Sequence, residues 1–220
     1  MLSKYDLVCF DMDGTLTRVR STWKWIHECL GTSNEEGYKA FINQEITERE
    51  FMRSDIGTWK KVKPDLCVKD LIGIFQKVPL INGIQETVAS LQEAGMKCVI
   101  VSGGIDIAAK MIKNEFGFDD FISDALEIDD DGKLTGEGVD IVDLADKSPW
   151  VRKFIEKYRT TPERTVSIGN SFTDIPMFKN TALSIAFNPT DPYTSDAANH
   201  TVVSDTISDV LDYILPSDIA

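Results

Sequence analysis

The apolar run Leu7-Val8-Cys9-Phe10 ends abruptly in Asp11-Met12-Asp13-Gly14-Thr15. Four consecutive apolar residues read as a buried strand, so two carboxylates emerge at a strand end. Their spacing of two puts both side chains on one side of an extended chain. Gly14 lets the backbone turn tightly and brings main-chain N–H groups close to a ligand, and Thr15 adds a hydroxyl donor. A carboxylate pair at the carboxyl end of a strand suits metal-assisted chemistry on an anionic substrate. A plain strand closed by an Asp-Gly turn has the same local look, so the rest of the chain decides.

Beyond residue 78 the pattern repeats. Ile84, Val88 and Leu91 mark a helix ended by Ala94-Gly95. A strand follows over 97–101 and runs into Ser102-Gly103-Gly104, then a helix from Asp106 to Phe116 stops at Gly117. Asp129-Asp130-Asp131-Gly132 reads as a hairpin turn. It is not a calcium loop, because Gly138 stands where that motif needs Glu. A helix over 149–158 precedes a strand over 165–168 that ends at Gly169-Asn170-Ser171, and a helix over 174–179 follows. Two late strands (183–186 and 201–203) and a final helix complete the chain. Strands alternating with helices predict an α/β fold: a Rossmann-like open parallel sheet with helices on both faces. Ligands sit at strand carboxyl ends in such sheets, so Asp11–Thr15, Ser102–Gly104 and Gly169–Asp174 are expected to converge on one crevice.

Residues 18–78 differ in kind. They carry 11 basic and 9 acidic residues, a balance of +2, against 12 and 27, or −15, in the remainder. Trp23, Trp25 and Trp59 fall there, and positions such as Phe41, Ile42, Ile46, Phe51 and Met52 suit amphipathic helices. The segment is expected to be a small helical cap inserted into a core formed by residues 1–17 and 79–220.

The net charge of −13 argues against a nucleic-acid partner. No stretch approaches the roughly 18 apolar residues of a membrane span, and the first residues lack a signal-peptide shape. A cytoplasmic protein acting on a small molecule is expected, with the oligomeric state left open. Cys9, Cys29, Cys67 and Cys98 show no paired spacing. His27 and His200 are the only histidines, which disfavours a His-based metal site or a Ser-His-Asp triad.

The three strand ends, together with Lys147, resemble in order and spacing the four motifs of the haloacid dehalogenase-like superfamily. Residues 80–182 are similar to its phosphoserine phosphatase branch at Val101-Ser102-Gly103-Gly104, at Asp131-Gly132-Lys133-Leu134-Thr135-Gly136 and at Asp174-Ile175-Pro176-Met177-Phe178. The resemblance implies a magnesium-dependent phosphomonoesterase with Asp11 as nucleophile and Asp13 as general acid and base. It implies that Ser102 and Gly103 hold phosphoryl oxygens, with Gly14, Thr15 and Gly104 lining the substrate site, and that Lys147 neutralises charge. Asp11, Asp13, Asn170 and Asp174 would hold Mg2+.

Two positions depart from that branch. Its fourth motif begins Gly-Asp, whereas Gly169-Asn170 stands here, with one negative charge fewer for an ion. Nine residues after the nucleophile the branch has a Glu for the substrate amine, and here Arg20 suits an anionic group instead. The branch's cap arginine aligns near Asp55, with Arg53 close by. Phosphoryl transfer to a small alcohol, or weakly catalytic binding of a phosphometabolite, are the alternative functions.

Overall fold

The computed structural model describes residues 4–215. Its centre is β1 (Leu7–Phe10), flanked by β2 (Lys97–Ile105) and β5 (Thr165–Gly169), both parallel to it. β3 (Asp120–Ile128) pairs parallel with β2, and β4 (Leu134–Val139) returns antiparallel to β3 as the expected hairpin. On the other side lie β6 (Leu183–Phe187) and β7 (His200–Val202). Among the described residues the sheet order is β4-β3-β2-β1-β5-β6-β7. The order reverses at β1, and a crevice opens at such a switch point.

Alternate residues of β1 face opposite layers, as the two-residue period of a strand requires. Val8 and Phe10 join the larger core with α5 (Ile84–Glu93) and α6 (Asp106–Phe116). Leu7 and Cys9 pack with Val151, Phe154 and Met177 of α7 (Ser148–Lys157) and α8 (Ile175–Phe178). This double burial is why β1 has no polar residue. The last helices are α9 (Pro192–Ala197) and α10 (Leu211–Ile214).

Four helices sit between β1 and α5: α1 (Thr22–Leu30), α2 (Glu35–Ile42), α3 (Glu48–Val62) and α4 (Val68–Phe75). Ser21 caps α1, and Thr47 with Glu50 forms a reciprocal capping box on α3. The entering and leaving segments run side by side, with Thr17 bridging Leu80 and the Arg18 N–H donating to the Pro79 carbonyl at 2.7 Å. The insert also grips the β3–β4 hairpin. Arg53 makes a two-bond fork to Glu137 at 2.7 and 2.8 Å, Lys60 donates to the Leu134 carbonyl, and the Leu134 N–H donates to Leu66.

Three differences from the sequence expectation stand out. β2 continues to Ile105 because Ser102-Gly103-Gly104 stays extended and the β3 pairing resumes at Ile105 after a register shift. The helix expected over 174–179 is a 3-10 turn, Phe172–Asp174, followed by one short turn of α8, since Asp174 is used to cap the loop before it. Helix α9 was not expected, although Asp191-Pro192 is a start signal: Asp191 accepts from the Thr194 N–H at 2.9 Å. Among the described residues no helix is long and apolar enough to cross a membrane.

Candidate active site

The carboxyl ends of β1, β2 and β5 bring the three polar segments to one cavity of about 840 Å³, lined by Asp11, Asp13, Ser102, Gly103, Gly104 and Asn170. Asp11 leaves β1 with its N–H on the Ile168 carbonyl at 2.9 Å, so the sheet itself fixes its position. Lys147, at the start of α7, is buried and donates to Asp11 Oδ1 at 2.8 Å and to Asp174 Oδ1 at 2.7 Å. Burial opposes the ammonium charge, but the two carboxylates outweigh it and hold Lys147 protonated. Burial, with Asp174 alongside, pushes Asp11 above the ordinary carboxylate range against the pull of Lys147.

Asp13 sits in the turn after the strand. Its Oδ2 accepts from the Thr22 N–H at 2.8 Å and the Thr22 hydroxyl at 3.0 Å, while Oδ1 is buried without a partner. Burial raises Asp13 to about 6, with the Thr22 bonds opposing. A carboxyl near that value can hold a proton and release it close to neutral pH. The same Thr22 hydroxyl accepts from the Ile105 N–H at 3.0 Å, tying α1 to β2. Ser102 Oγ accepts from the Gly104 N–H at 3.0 Å. A Cβ on Gly104 would come within 2.8 Å of Asp13 Oδ2, so only glycine allows this approach.

Gly14 and Thr15 lie behind the cavity wall rather than in it. The Gly14 N–H points to the Thr17 hydroxyl at 3.3 Å, and the buried Thr15 hydroxyl reaches Asp11 Oδ2 at 3.4 Å. Gly14 has φ +82°, and a side chain there would strike the Asn170 amide. Asp174, expected as an ion ligand, has both oxygens engaged. One takes Lys147, and the other accepts the N–H groups of Asn170 at 2.9 Å and Ser171 at 3.1 Å.

A hard divalent cation fits what remains. Asp11, Asp13 and Asp174 outnumber the one ammonium of Lys147, and Asp13 Oδ1 is an orphaned buried oxygen. Among the described residues no three His, Cys, Asp or Glu side chains are arranged to hold a metal. The oxygens that would hold it are those of Asp11, Asp13 and the buried Asn170 side chain. All are hard oxygens of the kind magnesium takes.

The insert supplies the far wall. Arg20 lines the cavity, exposed and without a hydrogen bond or ion pair among the described residues. Arg53 is spent on Glu137, away from the cavity. Asp55 is buried in a network of the insert: Oδ1 meets His27 Nε2 at 3.0 Å and Asn34 Nδ2 at 2.7 Å, while His27 Nδ1 meets Thr32 Oγ1 at 2.8 Å. Neither residue is free to recognise a substrate carboxylate. Glu48, overlooked in the sequence, lines the cavity at the start of α3. Burial raises it to about 8, and Asp124, Asp140 and Asp143 add to the rise against a hydrogen bond from the Leu144 N–H. Only the fold brings those acids together.

This switch-point crevice with its Asp11–Lys147–Asp174 cluster defines a class. The family model for haloacid dehalogenase-like hydrolases matches residues 8–179, and the chain belongs to that family. Among its relatives, the phosphoserine phosphatase of Idiomarina loihiensis is 29% identical over 219 residues, covering 97% of this chain and 95% of that protein. The phosphoserine phosphatase of Archaeoglobus fulgidus is 33% identical over 189 residues, covering 83% of this chain but 52% of that longer protein. A solved phosphoserine phosphatase bearing an analogue of its phospho-aspartyl intermediate superposes with a TM-score of 0.79 at 28% identity, covering 96% of this chain and 99% of that one.

Proposed function

We propose that Asp11, Asp13, Ser102 and Lys147 carry the reaction of this enzyme, a phosphomonoesterase that works through an aspartyl-phosphate. Residues 18–78 act as the cap over a core of 1–17 and 79–220. The observation that carries the reading is the buried Asp11 carboxylate, fixed by the sheet and held 2.8 Å from the Lys147 ammonium in the wall of a cavity.

In the first step an Asp11 oxygen attacks phosphorus and the bond from phosphorus to the ester oxygen breaks. Asp13 gives its proton to the departing alkoxide, so a neutral alcohol leaves. In the second step Asp13 takes a proton from water, whose oxygen attacks phosphorus, and inorganic phosphate and free Asp11 result. Lys147 offsets charge on Asp11 throughout, and Ser102 with the Gly103 N–H holds phosphoryl oxygens. Magnesium, on Asp11, the Asp13 carbonyl and Asn170, would neutralise phosphoryl charge. Positioning and charge stabilisation supply most of the rate in such transfers.

The relatives are named for phosphoserine, and Arg20 occupies a wall position suited to an anion such as a carboxylate. The preferred ester therefore carries a further anionic group on its alcohol. A cytoplasmic setting belongs to the same reading. The test is phosphate release from a panel of esters, phosphoserine included, at varied magnesium. Magnesium-dependent release that Asp11→Asn abolishes supports the reading, and release that survives Asp11→Asn overturns it.

A further inference from the structure

Packing of α2 on α3 accounts for only part of the aromatic face of the insert. Helix α2 has no buried residue, yet it carries Tyr38 and Phe41. Phe41 stacks on Phe51 of α3 with centroids 5.2 Å apart and planes 11° apart, and Tyr38 tilts against the same ring at 6.2 Å. All three rings line the active-site cavity, and so does Phe172 on the core side, just past β5. Tyr38 is 55% exposed and Phe172 64% exposed. Large apolar side chains left to water on both sides of one cavity mark a surface built for something other than the fold.

The cavity is also large for its expected substrate. About 840 Å³ lies in the upper part of the roughly 300–1,000 Å³ range that encloses drug-sized ligands, and an amino-acid phosphate would leave most of it to water. Two of the side chains that could clamp such a substrate are occupied. Asp55 is locked to His27 and Asn34, and Arg53 to Glu137. Beside the phosphoryl site the same cavity is lined by rings: Trp23, whose Nε1 donates to the Gly103 carbonyl at 3.1 Å, and Phe51, Phe41 and Tyr38.

We infer that the alcohol of the substrate carries a bulky aromatic or apolar group, seated between the rings of α2 and α3 and Phe172 of the core. The inference rests on the phosphomonoesterase reading and names its substrate class. Arg20 then meets an anionic group on that same alcohol, and the rings take its apolar body. Aromatic faces reward such burial beyond simple area.

The test uses esters of matched leaving-group alcohols: ethyl, phenethyl and naphthylethyl phosphate, with phosphoserine beside them. The expected kcat/KM rises by at least about tenfold from ethyl to naphthylethyl, the scale on which apolar pockets discriminate. Phe172→Ala and Tyr38→Ala, both at exposed positions that do not threaten folding, pull the naphthylethyl-to-ethyl ratio back toward one. A flat series, or phosphoserine preferred over naphthylethyl phosphate, overturns the inference. Calorimetric binding of ethyl and naphthylethyl phosphonate separates this inference from the reaction it rests on. Tighter naphthylethyl binding without any turnover upholds the pocket while the hydrolase reading fails. Equal phosphonate affinities overturn the pocket whatever the turnover.

Discussion

Lys147 Nζ stands 2.8 Å from Asp11 Oδ1 in a site where both side chains are buried, and the same ammonium reaches Asp174 on its other side at 2.7 Å. One cation thus separates two like charges that the fold has taken out of water. Replacing it leaves them facing each other. Lys147→Met is expected to destabilise the fold by about 3–5 kcal/mol, the scale of breaking a buried ion pair. It is also expected to lower kcat by about 10²–10³-fold, as for removal of a preorganised charge stabiliser. Urea unfolding and steady-state kinetics on the same preparation check both.

The cation site loses one formal charge at Asn170. Asn170→Asp restores it, and the magnesium concentration giving half-maximal rate is expected to fall. The variant should fold normally, because Gly14 leaves room for the side chain and the two shapes are nearly the same. A magnesium titration of rate for both proteins checks this. An unchanged midpoint would mean that Asp11 and the Asp13 carbonyl set the affinity.

Glu48 predicts a loss of stability as pH rises from the acid side to about 8. Burial and its acidic neighbours raise it from an ordinary value of 4.5 to about 8. A raised folded value means that the folded state binds the proton more tightly than the unfolded chain. Its contribution is therefore fully present below about 4.5 and is lost as pH rises through about 8. The Tm is expected to fall between about pH 4.5 and about pH 8 and to level off above that, and Glu48→Gln is expected to flatten that fall. Thermal melts of both proteins at several pH values check it.

Arg20 and Arg53 lie in the same segment but have different surroundings. Arg20→Ala is expected to raise KM for an ester with a second anionic group, by about tenfold or more for a lost charge-assisted contact. Arg53→Ala removes only an exposed, solvent-screened ion pair with Glu137, and is expected to leave KM within error. Kinetics of the two variants on one substrate separate a binding arginine from a structural one.

What was legible in the sequence follows the range of the interactions involved. The uniform apolar runs in β1 and at 98–101 of β2 announced strands covered on both faces, and Gly95 and Gly117 marked helix ends with φ +89° and +76°. The polar strand ends named Asp11, Asp13, Ser102 and Asn170 before any contact was known. Roles set by contacts distant in sequence were not legible. The hydrogen bonds from Thr15 to Asp11 and from Lys147 to Asp174 join residues that the fold brings together. Glu48 carries no local signal, since its raised proton affinity needs Asp124, Asp140 and Asp143 from a different part of the chain. The aromatic face of α2 looked like core packing, because an amphipathic period does not say whether its apolar side is covered.

The central claim is that Asp11 itself becomes phosphorylated. The direct measurement is acid quenching of the enzyme during turnover of a phosphate-labelled ester, followed by peptide mapping. The account predicts label on Asp11 that is released by mild base and absent from Asp11→Asn. Steady phosphate release with no label on the protein, or activity retained by Asp11→Asn, would contradict it.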